Sequence, residues 1–144
     1  MPGKVSIVDK VIRILILEDR ESDADLMEFA LIDAGFTFTS RRTTDEKTFL
    51  RGLVEFSPDL ILSDYDLPQY SGALALAEAR ERLPDVPFIL VTGALDKAME
   101  VVGEILAGGA SDLVLKNRLD LLAPAIHRAF GFGTGRLIPA GSER

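Results

Sequence analysis

Short apolar runs rich in Ile, Leu and Val recur along this chain, each followed by a longer amphipathic stretch. That alternation narrows the fold more than any other feature. The first run, Val11–Leu17 (VIRILIL), is nearly continuous, which reads as a strand buried on both faces. Asp59–Ser63 (DLILS), Val86–Val91 (VPFILV) and Ser111–Leu115 (SDLVL) repeat the pattern. Phe36–Arg42 is shorter in apolar content, as an edge strand would be.

Helical stretches lie between these runs. Asp23–Ala34 places Ala24, Leu26, Met27, Ala30, Leu31 and Ala34 at helical spacing, with Ser22 as the expected N-cap and Gly35 as the stop. Thr44 is the expected cap of a second helix reaching about Glu55, and Pro58 marks a turn. Asp64-Tyr65-Asp66-Leu67-Pro68 reads as a loop. Gly72–Leu83 is Ala- and Leu-rich and is stopped by Pro84; Asp96–Ala107 ends at Gly108-Gly109. Leu119–Phe130 is the last helix, with Pro124 implying a kink or a delayed start.

Five βα units in series with short connections require a parallel sheet with helices on both faces. Right-handed crossovers leave few topologies. The expected architecture is a flavodoxin-like three-layer α/β sandwich, a five-stranded parallel sheet in the order 2-1-3-4-5 with five helices. Residues 1–11 read as an N-terminal extension, 12–130 as the domain, and 131–144 (GFGTGRLIPAGSER, counting from Gly131) as a flexible tail or linker.

Composition removes several chemistries. A chain of 144 residues has the size of one domain, and 47% hydrophobic residues are enough for a buried core. The net charge of −7 argues against a nucleic-acid surface, which needs a basic face. It suits a cation or a basic partner, although acidity also serves solubility. With no Cys, disulfides, thiolate catalysis and zinc–thiolate sites are excluded. No apolar run approaches the roughly 20 residues of a membrane helix, and MPGKVSIVDK lacks the apolar core of a signal peptide. A cytoplasmic protein is expected.

Ligands of an open parallel sheet bind at the carboxyl ends of its strands, near the switch in strand order. Glu18 and Asp19 follow the first strand, Asp64 ends the third, Thr92 follows the fourth and Lys116 ends the fifth. Arg41 and Arg42 end the second strand, to one side. Taken singly, each is an ordinary loop residue or cap. Together they deliver three carboxylates, a hydroxyl and an ammonium to one edge. Three carboxylates in one place raise one another's pKa, and a hard divalent cation removes that penalty. Mg²⁺ takes oxygen ligands. A carboxylate is also a nucleophile towards a phosphoryl group, and phosphoryl transfer needs mainly positioning and neutralisation of charge. Lys116 and Thr92 are placed to meet phosphoryl oxygens.

The chain resembles the receiver domain of two-component response regulators over about Arg13 to Phe130. The matching text is ILILEDRESDADLM, LILSDYDLPQYSG, FILVTGA and GGASDLVLKNRL. The resemblance puts the acidic pair on Glu18 and Asp19, and the phosphoacceptor on Asp64 in a D-x-x-x-P pattern closed by Pro68. It puts the hydroxyl on Thr92 and the lysine on Lys116. It implies Mg²⁺ held by Glu18, Asp19, Asp64 and the backbone carbonyl of Asp66. It also implies a donor phosphohistidine on a histidine kinase or a histidine phosphotransfer protein. Such a domain is no enzyme towards other substrates; it catalyses only its own phosphorylation and slow dephosphorylation.

Three positions depart from the family pattern. Leu113 stands where an aromatic is common, so coupling through a rotating ring is not implied. Asn117 replaces the usual Pro after the lysine, so a cis peptide is not expected there. Gly93 replaces the usual Ala after the hydroxyl residue. The KNRLDLLAPAIHRAF ending looks like receivers found beside PAS and histidine-kinase domains in longer chains.

Other readings rank lower. His127, the single histidine, lies on the last helix, away from the strand ends. Asp64-x-Asp66 matches a phosphatase motif, but that motif follows a first strand. A flavin site needs a hydroxyl-rich loop where this chain has Glu18-Asp19-Arg20-Glu21. The alternative kept is a pseudo-receiver, a phosphorylation-independent protein-interaction module. Phosphorylation is expected to switch the face of the fourth helix, fifth strand and fifth helix, where Ile105, Leu113 and Leu119 lie. A partner protein or a second copy, giving a homodimer, would meet that face. No nucleic-acid or membrane partner is expected.

Overall fold

Along the first strand, β1 (Val11–Leu17), buried residues alternate between two cores. Ile12, Ile14 and Ile16 belong to one, while Leu15 and Leu17 belong to the other. This is the two-residue period of a strand covered on both sides. The computed structural model describes residues 11–93 and 95–131, apart from the side chains of 95–98 and 101. The expected extension and tail therefore lie almost wholly outside the described residues. Val11 already belongs to β1 rather than to the extension.

The other elements are α1 (Glu21–Asp33), β2 (Thr37–Thr43), α2 (Glu46–Glu55), β3 (Leu60–Ser63), β4 (Asp66–Leu67), β5 (Tyr70–Ser71), α3 (Gly72–Arg82), β6 (Phe88–Thr92), α4 (Leu95–Ala107), β7 (Asp112–Leu115) and α5 (Leu122–Ala129). A 3₁₀ segment, Lys116–Leu121, joins β7 to α5. The main sheet has the order β2-β1-β3-β6-β7, and its pairs are all parallel. Leaving out the short antiparallel pair β4–β5, this is the flavodoxin-like 2-1-3-4-5 order read from the sequence.

Helices cover both faces. Ala24, Met27 and Leu31 of α1 and Leu122, Ala125 and Ile126 of α5 pack on Ile14, Ile16, Leu62 and Val91. Phe49 and Leu53 of α2, Ala75, Leu76 and Ala79 of α3 and Ile105 of α4 pack on Leu15, Leu17, Leu90 and Phe88. These side chains are at most 3% exposed. Burial of about 25 cal/mol per Å² of apolar surface drives such a sandwich together.

Gly35 does end α1, at φ 91°, a left-handed conformation that suits glycine. Ser22 is not the cap: α1 begins at Glu21, its cap position is Arg20, and the Arg20 side chain makes no capping hydrogen bond. The β1–α1 connection is shorter than the reading allowed, so Ser22 falls inside the first turn. Thr44 is not the second cap either. Asp45 accepts from the Thr48 N–H, and the Thr48 hydroxyl accepts from the Asp45 N–H, a reciprocal capping box. The loop after Asp64 contains the β4–β5 turn, in which Asp66 pairs with Ser71 and Leu67 with Tyr70. Pro124 is the third residue of α5, in the first turn, where its missing N–H costs no helix bond. The start of the helix is delayed to Leu122 accordingly. No cis peptide bond occurs among the described residues.

Candidate functional site

The site is built by strand order. β3 lies between β1 and β6, with Leu17 in register with Ser63 and Ser63 in register with Leu90. The residue after β3, Asp64, is therefore flanked by Glu18 and Asp19 after β1 on one side and by Thr92, the last residue of β6, on the other. Backbone bonds pin these ends: the Asp64 N–H donates to Leu17 O at 2.9 Å, and the Glu18 N–H donates to Thr43 O at 2.9 Å. β7 lies one strand further out, with Leu115 in register with Thr92. Lys116 follows it and reaches back across the sheet edge.

The Lys116 ammonium is the hub. Its Nζ lies 3.1 Å from Asp64 Oδ2, 2.7 Å from Glu18 Oε1 and 2.8 Å from Asp23 Oδ2. Burial pulls the lysine down, but the bond to Asp23 and the charges of Glu18 and Asp64 outweigh it. The ammonium is held above the ordinary lysine range.

Glu18 lies beneath the cavity floor, 2% exposed. Its Oε2 accepts from the Arg20 N–H at 3.1 Å. Its Oε1 is within ion-pair distance of Lys116 yet is aligned with no hydrogen-bond donor. Burial pushes this carboxyl up to about 7; the Lys116 ammonium and the Arg20 N–H offset part of the effect, and the Asp64 charge adds to it. Asp64 is 7% exposed, and its Oδ1 accepts from the Tyr65 N–H at 2.7 Å.

Above these groups opens a cavity of about 320 Å³ lined by Asp19, Arg20, Asp23, Asp64, Asp66, Thr92, Gly93 and Lys116. Oxygens of Glu18, Asp19 and Asp64 all lie within 4.8 Å of one another. An all-oxygen set with a buried, unbonded carboxylate oxygen fits a hard divalent cation. Every residue singled out in the sequence for this edge is thus at or directly beneath one cavity. Arg41 and Arg42 are elsewhere, as read: Arg41 pairs with Glu55, and Arg42 with Asp25 and Glu28. His127 is half-buried, its ring 5.4 Å from that of Phe36, and burial lowers its pKa.

Two contributors were not foreseen. Asp23, in the first turn of α1, was read only as part of a helix, and nothing in its spacing announces a reach to Lys116. Gly72 opens α3 against the acceptor loop. A Cβ there would lie 2.7 Å from Asp64 O and 2.8 Å from Leu90 Cδ1. Its N–H donates to Tyr65 O at 2.7 Å. Glycine lets the helix start close enough to fix the backbone that carries Asp64.

The model of the response regulator receiver domain family matches residues 14–126. The chain belongs to the response regulator receiver domain family. It is similar to the sensory transduction protein RegX3 of Mycobacterium tuberculosis, 38% identical over 103 residues, covering 72% of this chain and 43% of that protein. It is also similar to the regulatory protein AtoC of Escherichia coli, 31% identical over 118 residues, covering 81% of this chain and 25% of that protein. The chain thus spans less than half the length of these relatives. Among solved structures, the signal receiver domain of a signal transduction histidine kinase from Syntrophus aciditrophicus matches with a TM-score of 0.70 and 25% identity, covering 92% of this chain and 98% of that one.

The receiver domain also has an apolar groove of about 330 Å³ beside α4, β7 and the 3₁₀ segment. Met99, Val102, Leu113, Leu115 and Leu121 line it, and Met99 and Leu121 are exposed. Of the three residues named for this face, Ile105 is in the core, while Leu113 and Leu119 are half-buried against the two cores. Among the described residues no helix is long and apolar enough to cross a membrane.

Proposed function

We propose that this receiver domain accepts a phosphoryl group on Asp64, holds it and hydrolyses it slowly. The observation that carries the reading is the setting of Asp64: 7% exposed, facing the cavity, with Lys116 Nζ at 3.1 Å and the oxygens of Glu18 and Asp19 beside it. A lone pair of the Asp64 carboxylate attacks phosphorus. The P–N bond of a donor phosphohistidine breaks, and its electron pair stays on the imidazole nitrogen. Lys116 and Thr92 meet phosphoryl oxygens as charge builds. Glu18, Asp19, Asp64 and the Asp66 carbonyl would hold Mg²⁺, which neutralises the charge that the carboxylates and the phosphoryl group share.

The donor is a histidine kinase or a histidine phosphotransfer protein, and the domain is no enzyme towards other substrates. The likeness to a receiver from a histidine kinase favours a place in a longer chain with PAS or kinase domains. The groove beside α4 is the surface that a partner, or a second copy in a homodimer, would use. With its acidic balance, the domain itself presents no nucleic-acid surface, and we place it in the cytoplasm. Radiolabel transfer from a phosphorylated histidine kinase tests the reading. Wild type takes the label in the presence of Mg²⁺ and Asp64→Asn does not. Label on neither, beside a control receiver that accepts it, favours the pseudo-receiver.

A further inference from the structure

Asp23 is the third residue of α1, where an acidic side chain ordinarily turns back to bond the N–H at the cap position. Here the Arg20 N–H is already bonded by Glu18 Oε2 at 3.1 Å. The Asp23 carboxylate is thereby released, and it reaches into the cavity to accept from Lys116 Nζ at 2.8 Å. That contact is shorter than the 3.1 Å from Nζ to Asp64. Its partners are 93 residues apart in sequence, and their side chains are only 23% and 17% exposed.

We infer that Asp23 is a positioning residue for Lys116, retaining its ammonium on the α1 side of the cavity until a phosphoryl group on Asp64 competes for it. The inference rests on the phosphoacceptor reading above and adds its regulation. With acetyl phosphate as donor, the new bond joins an Asp64 oxygen to phosphorus. The broken bond is that between phosphorus and the acetate oxygen, and acetate leaves with the electron pair. Asp23 forms no bond to phosphorus and moves no proton. It charges the transfer an electrostatic cost, because Lys116 must leave one carboxylate to meet the phosphoryl oxygens. Lys116 Nζ lies nearer to Glu18 Oε1, at 2.7 Å, and to Asp23 Oδ2, at 2.8 Å, than to Asp64 Oδ2, at 3.1 Å. The acceptor carboxylate is therefore not the main holder of its own lysine.

The test follows phosphoryl uptake from acetyl phosphate at saturating Mg²⁺ by intact mass. Asp23→Asn is expected to raise the initial rate about fivefold, the strength of a partly exposed ion pair. Asp23→Glu, which keeps the charge, returns it towards wild type. In a Lys116→Gln background Asp23→Asn changes nothing, because the residue acts through the lysine. An unchanged or slower rate in Asp23→Asn, or the same gain without Lys116, overturns the inference. A second readout needs no donor: acetylation of Lys116 by acetic anhydride, followed by peptide mass. It is expected to quicken several-fold in Asp23→Asn, and unchanged labelling overturns the inference. Failure of wild type to take a phosphoryl group would instead sink the phosphoacceptor reading, while the labelling still decides the Asp23–Lys116 relation.

Discussion

Replacing Glu18 by Gln separates two effects of one buried carboxylate. Burial raises Glu18 from 4.5 to about 7 in the metal-free fold. Below pH 4.5 the folded and unfolded chains both hold the proton, and stability is unaffected. Between 4.5 and 7 the unfolded chain gives up its proton first, so stability falls as pH rises. Above 7 the full cost is present, at most about 3 kcal/mol from the difference between the two pKa values. Glu18→Gln removes that cost. In EDTA at pH 8 it is expected to be more stable than wild type, with a flatter pH profile.

Cation binding should show the reverse. Mg²⁺ needs Glu18 ionised, so the apparent affinity of wild type rises about tenfold between pH 6 and pH 8 and then levels off. Calorimetry in buffers of different ionisation enthalpy should find about half a proton released per ion at pH 7. Glu18→Gln binds more weakly, and its pH dependence is lost. A flat wild-type affinity across that range with no proton release would refute the reasoning. So would a variant that keeps the full pH dependence.

Gly72→Ala places a Cβ against Asp64 O and Leu90 Cδ1. Chemical denaturation should show a loss of about 2 kcal/mol, the usual cost of overpacking. Phosphoryl uptake should fall as well, because the acceptor loop is displaced. Lys116→Gln leaves Glu18, Asp23 and Asp64 without their shared cation. Uptake from acetyl phosphate should slow at least about tenfold, and thermal stability in EDTA should drop more than it does with Mg²⁺. Asp45→Ala removes the box that starts α2. It should lower the thermal midpoint by a few degrees while leaving phosphoryl uptake unchanged.

The sheet was legible because β1, β3 and β6 are apolar on both faces, a demand that only a covered parallel sheet makes. The same reading located the strand ends, and with them Glu18, Asp19, Asp64, Thr92 and Lys116. Helix starts were less legible. Ser22 and Thr44 are both good caps by residue type, but the length of each connection decided the start. The side chain of Asp45 accepts from the Thr48 N–H, whereas Thr44 offers Thr48 only its backbone N–H. Asp23 was invisible as a site residue, since its contact spans 93 positions and depends on where α1 leans. Ile105 shows the same limit: its spacing allows an exposed face or a core, and only packing against Leu76 and Leu90 in one cluster chose the core.

The central claim is a phosphoryl group on Asp64. Its most direct test is intact mass after incubation with Mg²⁺ and acetyl phosphate, wild type beside Asp64→Asn. The account predicts a gain of one phosphoryl mass in wild type only, lost again when Mg²⁺ is chelated before the donor is added. An equal gain in Asp64→Asn, or no gain in wild type from either acetyl phosphate or a phosphorylated histidine kinase, would contradict it.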